Sequence, residues 1–118
     1  MDGRGKHVII YDGVEIGEGS IIEDFVVLGK PPRGKAIGEL KLKIGRSATI
    51  RIGTIIYAGT TIGDYFTTGD YARIRENNVI GNRVSIGTGT VVECGCEIED
   101  DVRIHSNCFI CELSLIHI

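Results

Sequence analysis

The chain has 118 residues, enough for one domain, and nearly balanced charge: 13 Lys and Arg against 16 Asp and Glu. A net charge of -3 gives no support to a nucleic-acid or anionic-membrane partner. No apolar run reaches membrane-spanning length and Met1–Lys6 is not followed by a signal-peptide core, so a cytoplasmic location is expected.

Residues 1–9 read as a polar lead-in. From Ile10 a period of six sets in, through Ile16, Ile22 and Leu28. The frame then breaks, because Leu28 and Ile44 are 16 positions apart and 16 is not a multiple of six. Pro31 and Pro32 cannot donate to a ladder, and the charges around them cannot face a core. Residues 30–43 are therefore predicted to project as a loop from a corner. It carries Lys30, Arg33, Lys35, Lys41 and Lys43 against one acid, Glu39. Such a loop is either a solvated surface segment or a wall whose cations, Arg33 and Lys35 among them, meet the phosphates of a nucleotide-containing ligand.

From Ile44 the period runs unbroken through Ile50, Ile56, Ile62, Thr68, Ile74, Ile80, Ile86, Val92, Ile98, Ile104 and Ile110. A helix needs a period of 3.6 and a simple strand a period of 2, so neither accounts for it. Four residues after each of these positions sits a second residue, nearly always small: Ala48, Thr54, Thr60, Phe66, Ala72, Asn78, Val84, Thr90, Cys96, Val102, Cys108, Ser114. One residue after, glycine recurs at 45, 63, 69, 81 and 87, where corners are expected to use its freedom at positive φ. The pattern predicts an all-β fold: a parallel β-helix of triangular 18-residue coils, residue n lying under residue n+18, with one projecting loop near residues 30–43. Each inward Ile then packs on others above and below, a burial of about 1.5–3 kcal/mol apiece.

The hexads, with the segments TGDYARIRENNVIGNRVSIGTGTVVE (68–93) and VRIHSNCFICE (102–112), resemble the bacterial hexapeptide-repeat acyltransferases that acylate sugars or nucleotide-linked sugars. The resemblance implies left-handed coils and a homotrimer with active sites in the clefts between neighbouring β-helices. It further implies acetyl-CoA or another acyl-CoA as donor and a sugar or sugar-nucleotide acceptor; no metal is expected. Relatives are expected to carry a histidine where this chain has Asp70. They also continue for more coils, so residues 113–118 (LSLIHI) are read as a non-native tail on a C-terminally truncated chain, which would then lack part of its donor site.

Acyl transfer from a thioester needs a base for the acceptor's proton and a donor for the developing oxyanion. His105 follows an inward Ile by one place and should point outward, stacked over Gly87 and, two coils back, Gly69 beside Asp70. His105 and Asp70, the catalytic candidates, then share a face about 10 Å apart, two strand spacings. Arg75 is expected to pair with Glu93 one coil on. With outward Asn77 these make the substrate-binding candidates, alongside Arg33 and Lys35. Asn78 takes an inward slot, where its amide must be hydrogen-bonded. The cysteines suggest zinc by spacing, but the frame sends Cys94, Cys96, Cys108 and Cys111 in different directions. Two other functions fit the fold class: a non-catalytic scaffold module, and a γ-class carbonic anhydrase, which would need three histidines where the chain has only His7, His105 and His117.

Overall fold

The computed structural model describes residues 3–117. Seventeen strands of two to four residues, all paired in parallel, form three sheets. The first sheet stacks Ile9–Ile10, Val27–Lys30, Ile55–Tyr57, Arg73–Ile74, Val91–Val92 and Phe109–Ile110. The second runs from Val14–Ile16 through Leu42–Ile44, Thr61–Ile62, Val79–Ile80 and Glu97–Ile98 to Leu115–Ile116. The third holds Ile21–Ile22, Thr49–Ile50, Thr67–Thr68, Ser85–Ile86 and Arg103–Ile104. The chain visits the sheets in rotation, so it winds as a three-sided solenoid: the parallel β-helix that the hexads announce, consistent with the left-handed coils that the resemblance implies.

The register is the 18-residue one: Ile44 pairs with Ile62, Ile62 with Ile80 and Ile80 with Ile98. The inward positions form one core running along the axis, with Ile50, Ile56, Ile74, Ile86 and Val92 fully buried. The stack extends to both ends of the described residues. Arg4 bridges Ile22 and Ile9 lies in a strand, so the expected lead-in already belongs to the first coil. Leu115–Ile116 likewise pair with Glu97–Ile98.

Ile16 pairs with Ile44 across 28 positions, ten more than the regular 18, which measures the insertion. The projecting loop is shorter than expected. Lys30 still pairs with Tyr57 through a register shift, and Leu42 re-enters the stack, fully buried opposite Val14. Only residues 31–41 lie outside the strands, so Lys30 and Lys43 are strand residues.

The glycines differ from expectation. Gly45, Gly63, Gly69, Gly81 and Gly87 do not have positive φ; outside the insertion that conformation falls three residues after the inward residue, once per hexad. It is taken there by Ser47, Tyr65, Tyr71, Asn77, Arg83, Asp101, Asn107 and Leu113 as well as by glycines. The glycines after Ile44, Ile62 and Ile80 serve close approach instead. A Cβ at Gly63 would collide with Asn82 Oδ1, and one at Gly45 or Gly81 with the Asp64 or Asp100 carboxylate. Those side chains accept hydrogen bonds from the coil before: Arg46 N–H donates to Asp64 Oδ1 (3.0 Å), Asp64 N–H to Asn82 Oδ1 (2.8 Å), Asn82 N–H to Asp100 Oδ1 (2.7 Å). A ladder of Asp and Asn thus runs up the edge between the second and third sheets. The triplets IGR, IGD, IGN and IED are its trace in the sequence.

Candidate functional site

The edge between the third and first sheets carries the two catalytic candidates. One column of this edge is Glu23, Arg51, Gly69, Gly87 and His105; beside it run Asp24, Ile52, Asp70, Thr88 and Ser106. His105 is exposed, and its carbonyl accepts a 2.6 Å bond from buried Thr90 Oγ1, which fixes the backbone beneath the imidazole. A Cβ at Gly87 would collide with the His105 carbonyl carbon, so glycine there lets the next coil come close.

Asp70 occupies the same edge two coils away. Its amide donates to Thr88 Oγ1 (3.2 Å), while its carboxylate lies 3.9 Å from Arg51 Nε in the preceding coil, away from His105. Arg51 also pairs with Glu23 at 3.0 Å. These groups line an open depression of about 420 Å³ together with Arg4, Asp24 and Ile52. His105 is not part of its wall. Within the chain the two candidates share an edge, but His105 lies outside the depression that Asp70 lines.

The edge between the first and second sheets carries the substrate-binding candidates and is built differently. Tyr57, Arg75 and Glu93 follow the inward residues here, and glycine enters the column at Gly29, at the register shift beside the insertion. The Arg75 guanidinium lies 4.8 Å from the centre of the Tyr57 ring, and Lys30 Nζ lies 5.6 Å from it. The expected Arg75–Glu93 pair is replaced by one within the chain: Arg75 Nε meets Glu76 Oε1 at 3.1 Å. Burial works against the charge on Arg75, but the Glu76 carboxylate and the Tyr57 phenolic group outweigh it, and its pKa is raised. Glu93 contributes only weakly to that rise.

Asn77 points outward with φ at 60°, a backbone conformation that asparagine tolerates better than most residues. Its Oδ1 fills the space that a Cβ at Gly59 would need. The buried neighbour Asn78 behaves as its slot required: Nδ2 donates to the Arg75 carbonyl (2.9 Å) and Oδ1 accepts from Cys96 N–H (2.8 Å).

The inserted loop rises from this same edge, where Gly59 N–H donates to the Lys41 carbonyl. Within it Lys35 pairs with Glu39 at 3.4 Å, and Glu39 accepts from Ala36 N–H (3.1 Å). That backbone bond, with Lys35, lowers the Glu39 pKa. Arg33 is exposed at the loop tip. Arg75, Asn77, Glu93, Arg33 and Lys35 are therefore gathered on one edge, and His105 and Asp70 on another.

The cysteines do not converge. Cys96 is buried and its thiol donates to the Cys111 carbonyl (3.1 Å), whereas Cys94 faces Glu112. Burial and the Glu76 and Glu112 carboxylates raise the Cys94 pKa, keeping it a thiol. Among the described residues no three His, Cys, Asp or Glu side chains gather as a metal set. His7 instead stacks on Phe25, with ring centroids 5.1 Å apart.

Sequence reasoning missed Glu23, Arg51, Tyr57 and Glu76. Tyr57 had a visible signal, since it holds the same hexad place as Arg75 one coil earlier. Glu23 and Arg51 are 28 apart, and the loop hid their contact. The first sheet's outer face was also overlooked. Its outward residues are Ile9, Val27, Ile55, Arg73, Val91 and Phe109, with Ile9 51% and Phe109 63% exposed. The second sheet presents Glu15, Lys43, Thr61, Val79, Glu97 and Leu115 in the same places, and the third is mostly Thr, Ser and Arg.

Residues 79–112 match the family described as bacterial transferase hexapeptide (six repeats). The matched stretch holds Glu93 and His105 and leaves out Asp70, Arg75, Asn77 and the loop. No curated protein matches the chain. The likeness rests on the repeat, and the fold is consistent with that transferase family.

Proposed function

We propose that the chain is an acyl-CoA-dependent transferase, taking acetyl-CoA as donor and acylating an amino or hydroxyl group of a sugar or sugar nucleotide, and that it works as a homotrimer. The observation that carries this reading is the largely apolar outer face of the first sheet, interrupted by Arg73 and set between two polar edges. If three copies turn that face toward a common axis, cyclic symmetry lays the His105 edge of one copy against the Arg75 edge of the next. The two groups of candidates, separate within a chain, then face each other across a cleft. The transferase hexapeptide match over His105 and Glu93 supports the same reading.

In this arrangement His105, exposed on its edge, is the base that accepts the acceptor's proton. Asp70 orients the acceptor from the depression beside it. Arg75, Asn77 and Glu93 bind substrate from the neighbouring copy, and Arg33 and Lys35 on the loop meet anionic groups. His105→Ala should lower release of free CoA from acetyl-CoA and an amino sugar by about 100-fold or more while leaving the trimer intact. Mixing His105→Ala with Arg75→Ala subunits should restore part of the rate, because some clefts then receive both intact edges. Unchanged CoA release in His105→Ala would remove that residue from the reaction. The competing reading is a scaffold without catalysis; a calorimetric titration with acetyl-CoA that shows no heat of binding would favour it.

A further inference from the structure

We propose that the edge between the third and first sheets binds an oligosaccharide laid lengthwise, its rings resting on His7–Phe25 and Tyr71 and its hydroxyls reaching into the depression beside them. The site shares Asp70 and its depression with the acceptor position proposed above, but binding of an oligosaccharide here needs neither acyl donor nor transfer.

Three observations carry it. First, aromatic rings stand exposed along this edge where the backbone gives no reason for them. His7, Phe25 and Tyr71 all have positive φ, a conformation suited to Gly or Asn. Phe25 is nonetheless 55% exposed and Tyr71 64%. The rings are held in place: His7 stacks on Phe25 with planes 15° apart, and Tyr71 lies against Gly53, where a Cβ would collide with it. Second, the coil period sets their spacing. Phe25 and Tyr71 occupy the same corner two coils apart, about 10 Å, with Gly53 between them. Two platforms at that separation suit rings along an extended chain better than one isolated ring.

Third, the depression beside the platforms is concave, mixes Ile21, Ile22 and Ile52 with charged groups, and is nearly balanced in charge. Asp24 adjoins Phe25 and Asp70 adjoins Tyr71, and both line the 420 Å³ depression with Glu23, Arg4 and Arg51. Arg51 is anchored by Glu23 at 3.0 Å and approached by Asp70 at 3.9 Å, so its fork is fixed. A pyranose offers apolar C–H faces and a rim of hydroxyls that both donate and accept. Aromatic faces take the first, and carboxylates with a guanidinium take the second. Three carboxylates against two guanidiniums leave no excess positive charge for a phosphate.

The test is calorimetric titration of the full chain with cellohexaose and maltohexaose, with glucose as the single-ring control and no acetyl-CoA present. One of the hexasaccharides should bind saturably, and glucose about tenfold or more weakly. Tyr71→Ala and Phe25→Ala should each weaken binding about tenfold, while Tyr71→Phe, which keeps the ring, should retain it. Tyr65→Ala, an exposed tyrosine on another edge, should change nothing. Both alanine positions are exposed, and melting curves matching the parent chain would show that the variants fold. Absence of binding by either hexasaccharide, equal binding of glucose, or undiminished binding by Tyr71→Ala would each overturn the proposal. Because no acyl donor is present, failure here leaves the transferase reading standing, and loss of CoA release leaves this one standing.

Discussion

The edge between the second and third sheets and the edge between the first and second turn the same chain through the same corner, yet they satisfy its polar groups from opposite sides. At the former, beyond Ser20 in the first coil, the inner corner is apolar, filled by Ala48, Phe66, Val84 and Val102, and the help comes from outside through Asp64, Asn82 and Asp100. At the latter the inner corner is Thr60, Asn78 and Cys96, and the bonds are made inside. Thr60 Oγ1 and Asn78 Nδ2 both donate to the Arg75 carbonyl. The consequence reaches the surface. An outer Asp and Asn ladder demands glycine beneath it and leaves the edge narrow, whereas inner satisfaction frees the outer positions for Tyr57, Arg75 and Glu93. The edge that needs no outer ladder is the one that carries large polar side chains and the inserted loop.

That contrast can be broken in order of expected effect. Phe66→Ala, at the apolar corner, should cost about 3–5 kcal/mol in urea unfolding, because the closely packed coils cannot collapse into the space. Asn78→Leu should cost about 3 kcal/mol: it strands the Cys96 amide and weakens the bonding of the Arg75 carbonyl, both away from water. Asn82→Ala removes the corresponding outer bond and should cost only about 1 kcal/mol, since the Asp64 amide it leaves can turn to water. Equal losses for Asn78→Leu and Asn82→Ala would mean that inside and outside satisfaction are equivalent, and the contrast would fail.

The smallest effect is expected at Asp101, on the outer edge, where the Arg83 guanidinium donates twice to its carboxylate, at 2.6 and 3.1 Å. That pair lowers the Asp101 pKa below its ordinary 3.8. A carboxylate lowered in the folded state adds stability that is present above 3.8 and is lost as the pH falls through the lower folded value. Asp101→Asn should therefore flatten slightly the acid limb of a stability–pH curve, and leave stability near neutrality little changed, as for exposed pairs generally. An unchanged acid limb would show that the pair does not form in solution.

The site was legible only in pieces. His105 and Asp70 could be placed on one edge by counting in eighteens, and Asn78 could be sent inward, because both follow from the frame alone. Arg75 could be put beside Glu93 by the same count, but its guanidinium turned to Glu76, which lies next to it in the chain and shares its half-buried corner with Tyr57. Counting also failed across the insertion, so the Glu23–Arg51 contact and the depression around it stayed hidden.

By itself the sequence determined the period, and with it the three-sided prism, the 18-residue register and the identity of every inward residue from Ile44 onward. It could do so because burial of a β-branched side chain at every sixth place leaves the backbone few other ways to pair. Tertiary structure alone decided where positive φ falls, why glycine follows Ile44, Ile62 and Ile80, and which charges meet. Those outcomes depend on contacts of a few ångströms between neighbouring coils, where side-chain reach and local crowding act, and a repeat count carries neither.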